Sequence, residues 1–180
     1  MYRKNNPKAK KAKGAASGIG GVVGAAKRFA RSNSFKVIAP ATLQRSGKTA
    51  QLDALVVGYF GVLGVKAYGY NGEIYGTAAE ENWLQVTGSG KRLPFKNPLQ
   101  QAAADVRVIR DALFESKMKT IPVEVVCVFA DPKAQIAVPG GAGYYTAKTF
   151  KQLLGKEKYL ADKGLDLEKV EQALRAALAE

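Results

Sequence analysis

The sequence predicts strands interspersed with helices, an α/β or α+β domain, and three observations predict it. Short apolar runs rich in β-branched residues recur at 35–39, 51–57, 62–68 and 121–130 and read as strands. Stretches with apolar residues at helical spacing lie among and after them, the clearest opening at Asn97-Pro98. A composition of 47% hydrophobic and 24% charged residues is that of an ordinary globular chain. Its 180 residues suffice for one well-buried core with an appendage, and no internal repeat is visible.

Residues 1–34 are rich in Lys, Gly, Ala and Ser, which predicts a flexible basic arm with one short helix near 22–31. After the strand at 35–39 comes Ser46-Gly47-Lys48-Thr49, which invites comparison with a phosphate-binding loop. The earlier glycine that such a loop requires would fall at Thr42 and no strand-to-helix transition follows, so the segment reads as a turn between two strands. The runs 51–57 and 62–68 form a hairpin around Gly58-Tyr59-Phe60-Gly61, followed by short strands at 73–76 and 83–86 and a basic loop at 91–96. Asn97 caps a helix whose first position, Pro98, has no N–H to lose, and Leu99, Ala102, Ala103, Val106, Ile109 and Leu113 place one face of it on the sheet. The almost wholly apolar run at 121–130 suits a buried central strand. Thr146 opens a helix to about Leu154, and Asp166 opens another containing Leu167, Val170, Leu174, Ala177 and Leu178. The divisions expected are an arm at 1–34, a domain at 35–155 and a helical extension at 156–180.

No acidic residue precedes Asp53, whereas 12 of the 28 basic residues do, which leaves 16 basic against 15 acidic residues from there on. The net charge of +13 is thus concentrated at the N-terminus and points to a polyanionic partner, nucleic acid first among them. The residues expected to contact phosphates are Lys8, Lys10, Lys11, Lys13, Lys27, Arg28 and Arg31, together with Lys91, Arg92 and Lys96. Two alternatives stand beside this one. The arm is a solubilising tail, or it meets an anionic membrane surface through Ile19, Val22, Val23 and Phe29 beside Lys27, Arg28 and Arg31. The segment after the basic run is too rich in Gly and Ala for a signal peptide and too short to span a bilayer.

The one cysteine, Cys127, lies in an apolar run and reads as a small core residue, which fits a reducing compartment and a cytoplasmic location. Gly18, Gly20, Gly21 and Gly24 miss the spacing of a dinucleotide fingerprint. The chain has no histidine, so a Ser-His-Asp triad, a histidine base and a histidine metal site are all excluded. Any hydrolysis would run on carboxylates, lysine and hard metal ions.

If Val57 faces Val62 across the hairpin, Asp53 lies opposite Lys66 with position 64 diagonal to it on the same face. Alone, such a pair reads as a cross-strand salt bridge. The surrounding text adds to it: Gln51-Leu-Asp53, Gly61-Val-Leu-Gly64-Val-Lys66, Asn71-Gly-Glu-Ile-Tyr-Gly76, Asn82-Trp83 and Asn97-Pro98-Leu-Gln-Gln101. In order and spacing these resemble the nuclease-related (NERD) domain of the restriction-endonuclease-like superfamily, from Phe35 to about Leu154.

The resemblance implies that superfamily's mixed sheet flanked by helices and a metal-dependent phosphodiesterase site. Asp53 matches the metal-binding aspartate, Lys66 the lysine that orients or deprotonates the attacking water, and Gln101 the supporting glutamine, with Mg²⁺ or Mn²⁺ as the ion. Two positions depart from the pattern. Gly64 stands where the metal-binding glutamate is expected, and the glutamate of the first helix has no counterpart. Glu73, Glu80, Glu81 and Asp105 are candidates for a migrated carboxylate, Asp105 being one helical turn beyond Gln101. The first expectation is a nucleic-acid-binding protein, for DNA without strong sequence preference, whose phosphodiesterase site is degenerate. The alternatives are an active divalent-metal-dependent DNA nuclease with a migrated carboxylate and a membrane-surface scaffold.

Overall fold

A computed structural model describes the backbone of residues 8–180 and the side chains from residue 18 onward. The chain begins with α1 (Lys8–Ser32), β1 (Lys36–Ile38), β2 (Ala41–Arg45), β3 (Lys48–Leu52), β4 (Ala54–Gly58) and β5 (Gly61–Tyr68). It continues through β6 (Glu73–Tyr75), β7 (Asn82–Val86), β8 (Arg92–Lys96), α2 (Pro98–Glu115) and β9 (Val123–Phe129). It ends with β10 (Gln135–Ala137), β11 (Tyr144–Thr146), α3 (Ala147–Leu154) and α4 (Leu167–Arg175).

The centre is a five-stranded mixed sheet in the order β1-β4-β5-β9-β11. Its first three strands pair antiparallel, and β9 lies parallel to both β5 and β11. Every residue of β4 is buried because helices cover both sides of the sheet, as the unbroken apolar run required. Val57 faces Val62 and Gly58 faces Gly61, so the hairpin has the expected register. The segment 46–49 also forms the expected turn: Ser46 and Gly47 both have positive φ, 53° and 70°, the pattern of a two-residue hairpin between β2 and β3.

Side chains alternate across the sheet into two cores. On one side Leu55, Val57 and Val62 meet Ile109 and Leu113 of α2, Leu174 of α4, and Leu43 and Leu52 of the β2–β3 hairpin. On the other, Val56, Leu63 and Val65 meet Val22, Ala26 and Ala30 of α1 and Phe150 and Leu153 of α3. A four-stranded sheet, β10-β6-β7-β8, forms a third cluster in which Trp83 and Ile74 pack with Phe129 at the end of β9.

Four expectations need correction. Residues 18–32 belong to a helix packed on the sheet and not to a flexible arm, because the small residues read as flexible are what lets α1 lie close. A Cβ at Gly18 would stand 2.9 Å from the carbonyl oxygen of Ala130. The core therefore begins before residue 35. It also extends past 155, since Leu167, Val170 and Leu174 are buried in the α2-side core and Leu178 bridges Leu43. The basic loop at 91–96 is strand β8, at the edge of its sheet, where Pro94 removes no needed N–H. Finally, the buried face of α2 is rotated from the one expected. Ala103 is exposed and Val106 half-buried, while Asp105, Val108 and Ala112 are buried.

Asn97 caps α2 as expected and also ties it to the preceding loop. Its Oδ1 accepts from Leu99 N at 2.9 Å, and its Nδ2 donates to the carbonyls of Thr77, Ala78 and Glu80. Asn97→Ala is expected to cost about 2–4 kcal/mol, combining a lost cap with carbonyls left unpaired in a buried position. For a chain of this size that lowers the melting temperature by roughly 5 °C or more, and a shift under 2 °C in a calorimetric scan would contradict it.

Candidate functional site

The run 51–57, expected as one strand, is divided at Asp53, where β3 leaves the central sheet's partner hairpin and β4 enters the sheet. Asp53 is fixed there by two bonds to β5: its N donates to Val65 O at 2.9 Å, and its Oδ2 accepts from Ala67 N at 2.7 Å. Lys66, its neighbour across the hairpin, projects toward α2. There its Nζ lies 2.9 Å from Asp105 Oδ2, with the two side chains 17% and 6% exposed. Burial holds the Asp105 carboxyl above the usual carboxylate range, with Lys66 pulling the other way. Two residues along β5, Tyr68 donates its OH to Gln101 Oε1 at 3.1 Å, and burial raises that phenol well above its ordinary value.

One end of the sheet thus gathers Asp53, Lys66 and Tyr68 from β3–β5 and Gln101 and Asp105 from α2. The spacings that bring them together are those of the elements: residues 66 and 68 share a strand face, and 101 and 105 share a helix face. Tyr68 was not singled out in the sequence, although its alternation with Lys66 marks it.

Position 64 holds no room for a ligand. A Cβ there would lie 2.9 Å from Val125 Cγ2 and 3.3 Å from both Leu52 methyl carbons, so apolar atoms fill the direction a side chain would take. Of the other candidate carboxylates, Glu73 on β6 accepts from Tyr75 OH, and Glu81, just before β7, pairs with Lys96 of β8 at 2.7 Å. The Glu80 carbonyl accepts from Asn97 in the loop before β7. Among the described residues no three His, Cys, Asp or Glu side chains converge. A magnesium ion takes near-octahedral oxygen ligands. Here one of the two carboxylates already accepts a backbone amide and the other already faces an ammonium, so the donors present do not fit a resident divalent ion.

The expected phosphate-binding residues fall in two places. Lys27, Arg28 and Arg31 are exposed on α1, while Lys91 and Arg92 are exposed at β8 and Lys96 is paired with Glu81. Lys8, Lys10, Lys11 and Lys13 belong to α1, but their side chains lie outside the described residues. Of the apolar residues that a membrane contact would use, Ile19, Val22 and Phe29 pack on the core and Val23 is half-buried outside it. Val22 is buried, Ile19 packs on the same core, and the Phe29 ring lies 5.6 Å from Phe35 and 6.2 Å from Tyr159. No helix among the described residues is long and apolar enough to cross a membrane.

Cys127 is a core residue, as expected, and burial pushes its thiol up to about 12. It should therefore stay unmodified by Ellman's reagent at pH 8 in the folded protein and react only on unfolding. Rapid labelling without denaturant would contradict its burial.

No curated protein and no solved structure matches the chain. The family model of the nuclease-related domain does match it, over residues 17–130, from within α1 to the end of β9. That span is well over half of the sequence and includes every residue gathered at the site, so the chain belongs to the nuclease-related domain family.

Proposed function

We propose that this protein binds nucleic acid through its nuclease-related domain and that its phosphodiesterase site is degenerate. The observation that carries the reading is the Lys66–Asp105 contact. The lysine that would serve an attacking water is instead held by a buried carboxylate, while position 64 contributes no ligand and is packed with apolar atoms. Asp53, Lys66 and Gln101 then persist as structure: Asp53 secures the hairpin, Lys66 joins the sheet to α2, and Gln101 receives Tyr68. Binding is to the phosphate backbone, because the excess positive charge lies in the N-terminal part of the chain, where no acidic residue precedes Asp53 and where Lys27, Arg28 and Arg31 are exposed.

DNA affinity measured by fluorescence anisotropy should fall by at least roughly tenfold between 50 and 200 mM salt as counterions are released. An affinity unchanged over that range would sink this reading. A second reading rests on the same contact. Asp105 stands beside Lys66, where it would take the place of the carboxylate expected at position 64, and a nuclease dependent on Mg²⁺ or Mn²⁺ would require Lys66 and the Ala67 amide to release the two carboxylates to an ion that their present arrangement does not fit.

A further inference from the structure

We infer that the outward face of α1 is a docking surface for the phosphodiester backbone of duplex DNA, on the opposite side of the central sheet from Asp53, Lys66 and Asp105. This rests on the nucleic-acid reading above and says where the partner sits.

The face is defined by what α1 buries. Val22, Ala25, Ala26 and Ala30 turn into the core against β4 and β5, which leaves Gly20, Gly21, Lys27, Arg28 and Arg31 exposed. Positions 20, 24, 27, 28 and 31 form one stripe at helical spacing, about 16 Å long at 1.5 Å per residue. Arg28 reaches back along it, with its Nη1 3.3 Å from where a Cβ of Gly24 would stand. Among the described residues, added Cβ atoms at Gly20 and Gly21 would meet nothing within 4 Å, so a partner can come close to the helix there.

The charge on the stripe is uncompensated. Among the described residues no carboxylate pairs with Lys27, Arg28 or Arg31, and the sequence has none before Asp53 that could. A row of free cations along a helix complements an array of phosphates. The stripe also discriminates between partners. Single-stranded nucleic acid is gripped by exposed aromatic rings as well as charge, and the described residues of the stripe carry none, the ring of Phe29 being packed against Phe35 and Tyr159. A bilayer surface would need several apolar residues on this face, and among the described residues it offers the half-buried Val23 alone, while Ile19, Val22 and Phe29 pack on the core. A duplex backbone needs only cations and access.

The position has a consequence for the site. α1 lies against Val56, Leu63 and Val65, whereas Lys66 meets Asp105 under α2 on the opposite face of the same strands. A duplex held by α1 is thus held away from the degenerate site.

The test uses the full chain and a labelled 30-base-pair duplex in anisotropy titrations. It compares the parent with Lys27→Glu/Arg28→Glu/Arg31→Glu and with a control, Arg107→Glu/Arg110→Glu, which alters exposed cations on α2. The α1 variant should lose at least about tenfold in affinity, with its log–log salt slope reduced by roughly 2–3, and the control should lose less than about threefold. All the altered side chains are exposed, so circular dichroism melts should be unchanged. A parent that binds duplex while the α1 variant binds equally well overturns the docking surface and leaves the nucleic-acid reading standing. A parent that fails to bind duplex at 50 mM salt overturns both. Vesicles of phosphatidylserine and phosphatidylcholine form a third arm: flotation of the parent that the α1 variant loses, without duplex binding, assigns the face to a membrane and overturns the proposal.

Discussion

Lys66→Ala should lower unfolding stability by about 3–5 kcal/mol, because it leaves the Asp105 carboxyl in a site from which only 6% of its side chain reaches solvent. Among the described residues no hydrogen-bond donor serves Asp105 Oδ2 in place of the ammonium. The reverse change, Asp105→Ala, should cost less, since Lys66 is more exposed and its flexible stem can carry the charge outward. Replacing both, as Lys66→Met/Asp105→Leu, should be close to neutral or stabilising, as with other buried ion pairs exchanged for apolar side chains. The deficit in Lys66→Ala has a defined pH dependence. The folded-state pKa of Asp105 already lies above its ordinary value and rises further without Lys66. The neutral carboxyl is therefore fully tolerated below the ordinary carboxylate range, and stability is lost as pH rises through the raised folded value. Urea titrations of the three variants at acidic and neutral pH measure this. A loss under 1 kcal/mol for Lys66→Ala at pH 7 would mean that the contact is not a buried pair.

The second large effect is expected at Gly64, where even Gly64→Ala should destabilise the protein. Val125 is β-branched and stiff within β9, so a Cβ 2.9 Å from its Cγ2 forces a shift costing about 1–3 kcal/mol. Gly64→Glu should cost more, since it adds a carboxylate to a buried position. Val125→Ala in the same chain should recover part of the loss by opening space. Thermal melts of the single and double variants separate these contributions, and a Gly64→Ala protein as stable as the parent would show that position 64 is roomier than the packing implies. Restoring the glutamate that the family resemblance places here thus requires making room for it first.

Much of this site was legible in the sequence, because it follows from local periodicity. The hairpin register placed Asp53 opposite Lys66, and the Asn97-Pro98 cap fixed where α2 begins and hence the phase of Gln101 and Asp105. What the sequence hid was the competition between composition and packing. The Gly and Ala content of α1 lowers its intrinsic helix propensity, yet small residues are what allow it to lie on the sheet, and burial of Val22, Ala26 and Ala30 outweighs the propensity. Pro94 obscured β8 because a proline is harmless only on an edge strand, and edges are a property of the sheet and not of the segment. The three-residue strands β10 and β11 carry too few residues for a period to show. The burial of Asp105 was hidden for a similar reason. A carboxylate on an otherwise apolar helix face reads as solvated until the lysine that meets it is located in space.

The most direct measurement is a cleavage assay on supercoiled, linear and single-stranded DNA with Mg²⁺ or Mn²⁺, using the parent protein and Asp53→Ala. The expected result is that neither cuts above background while the parent still binds duplex DNA. Metal-dependent cutting by the parent that Asp53→Ala abolishes would contradict a degenerate site.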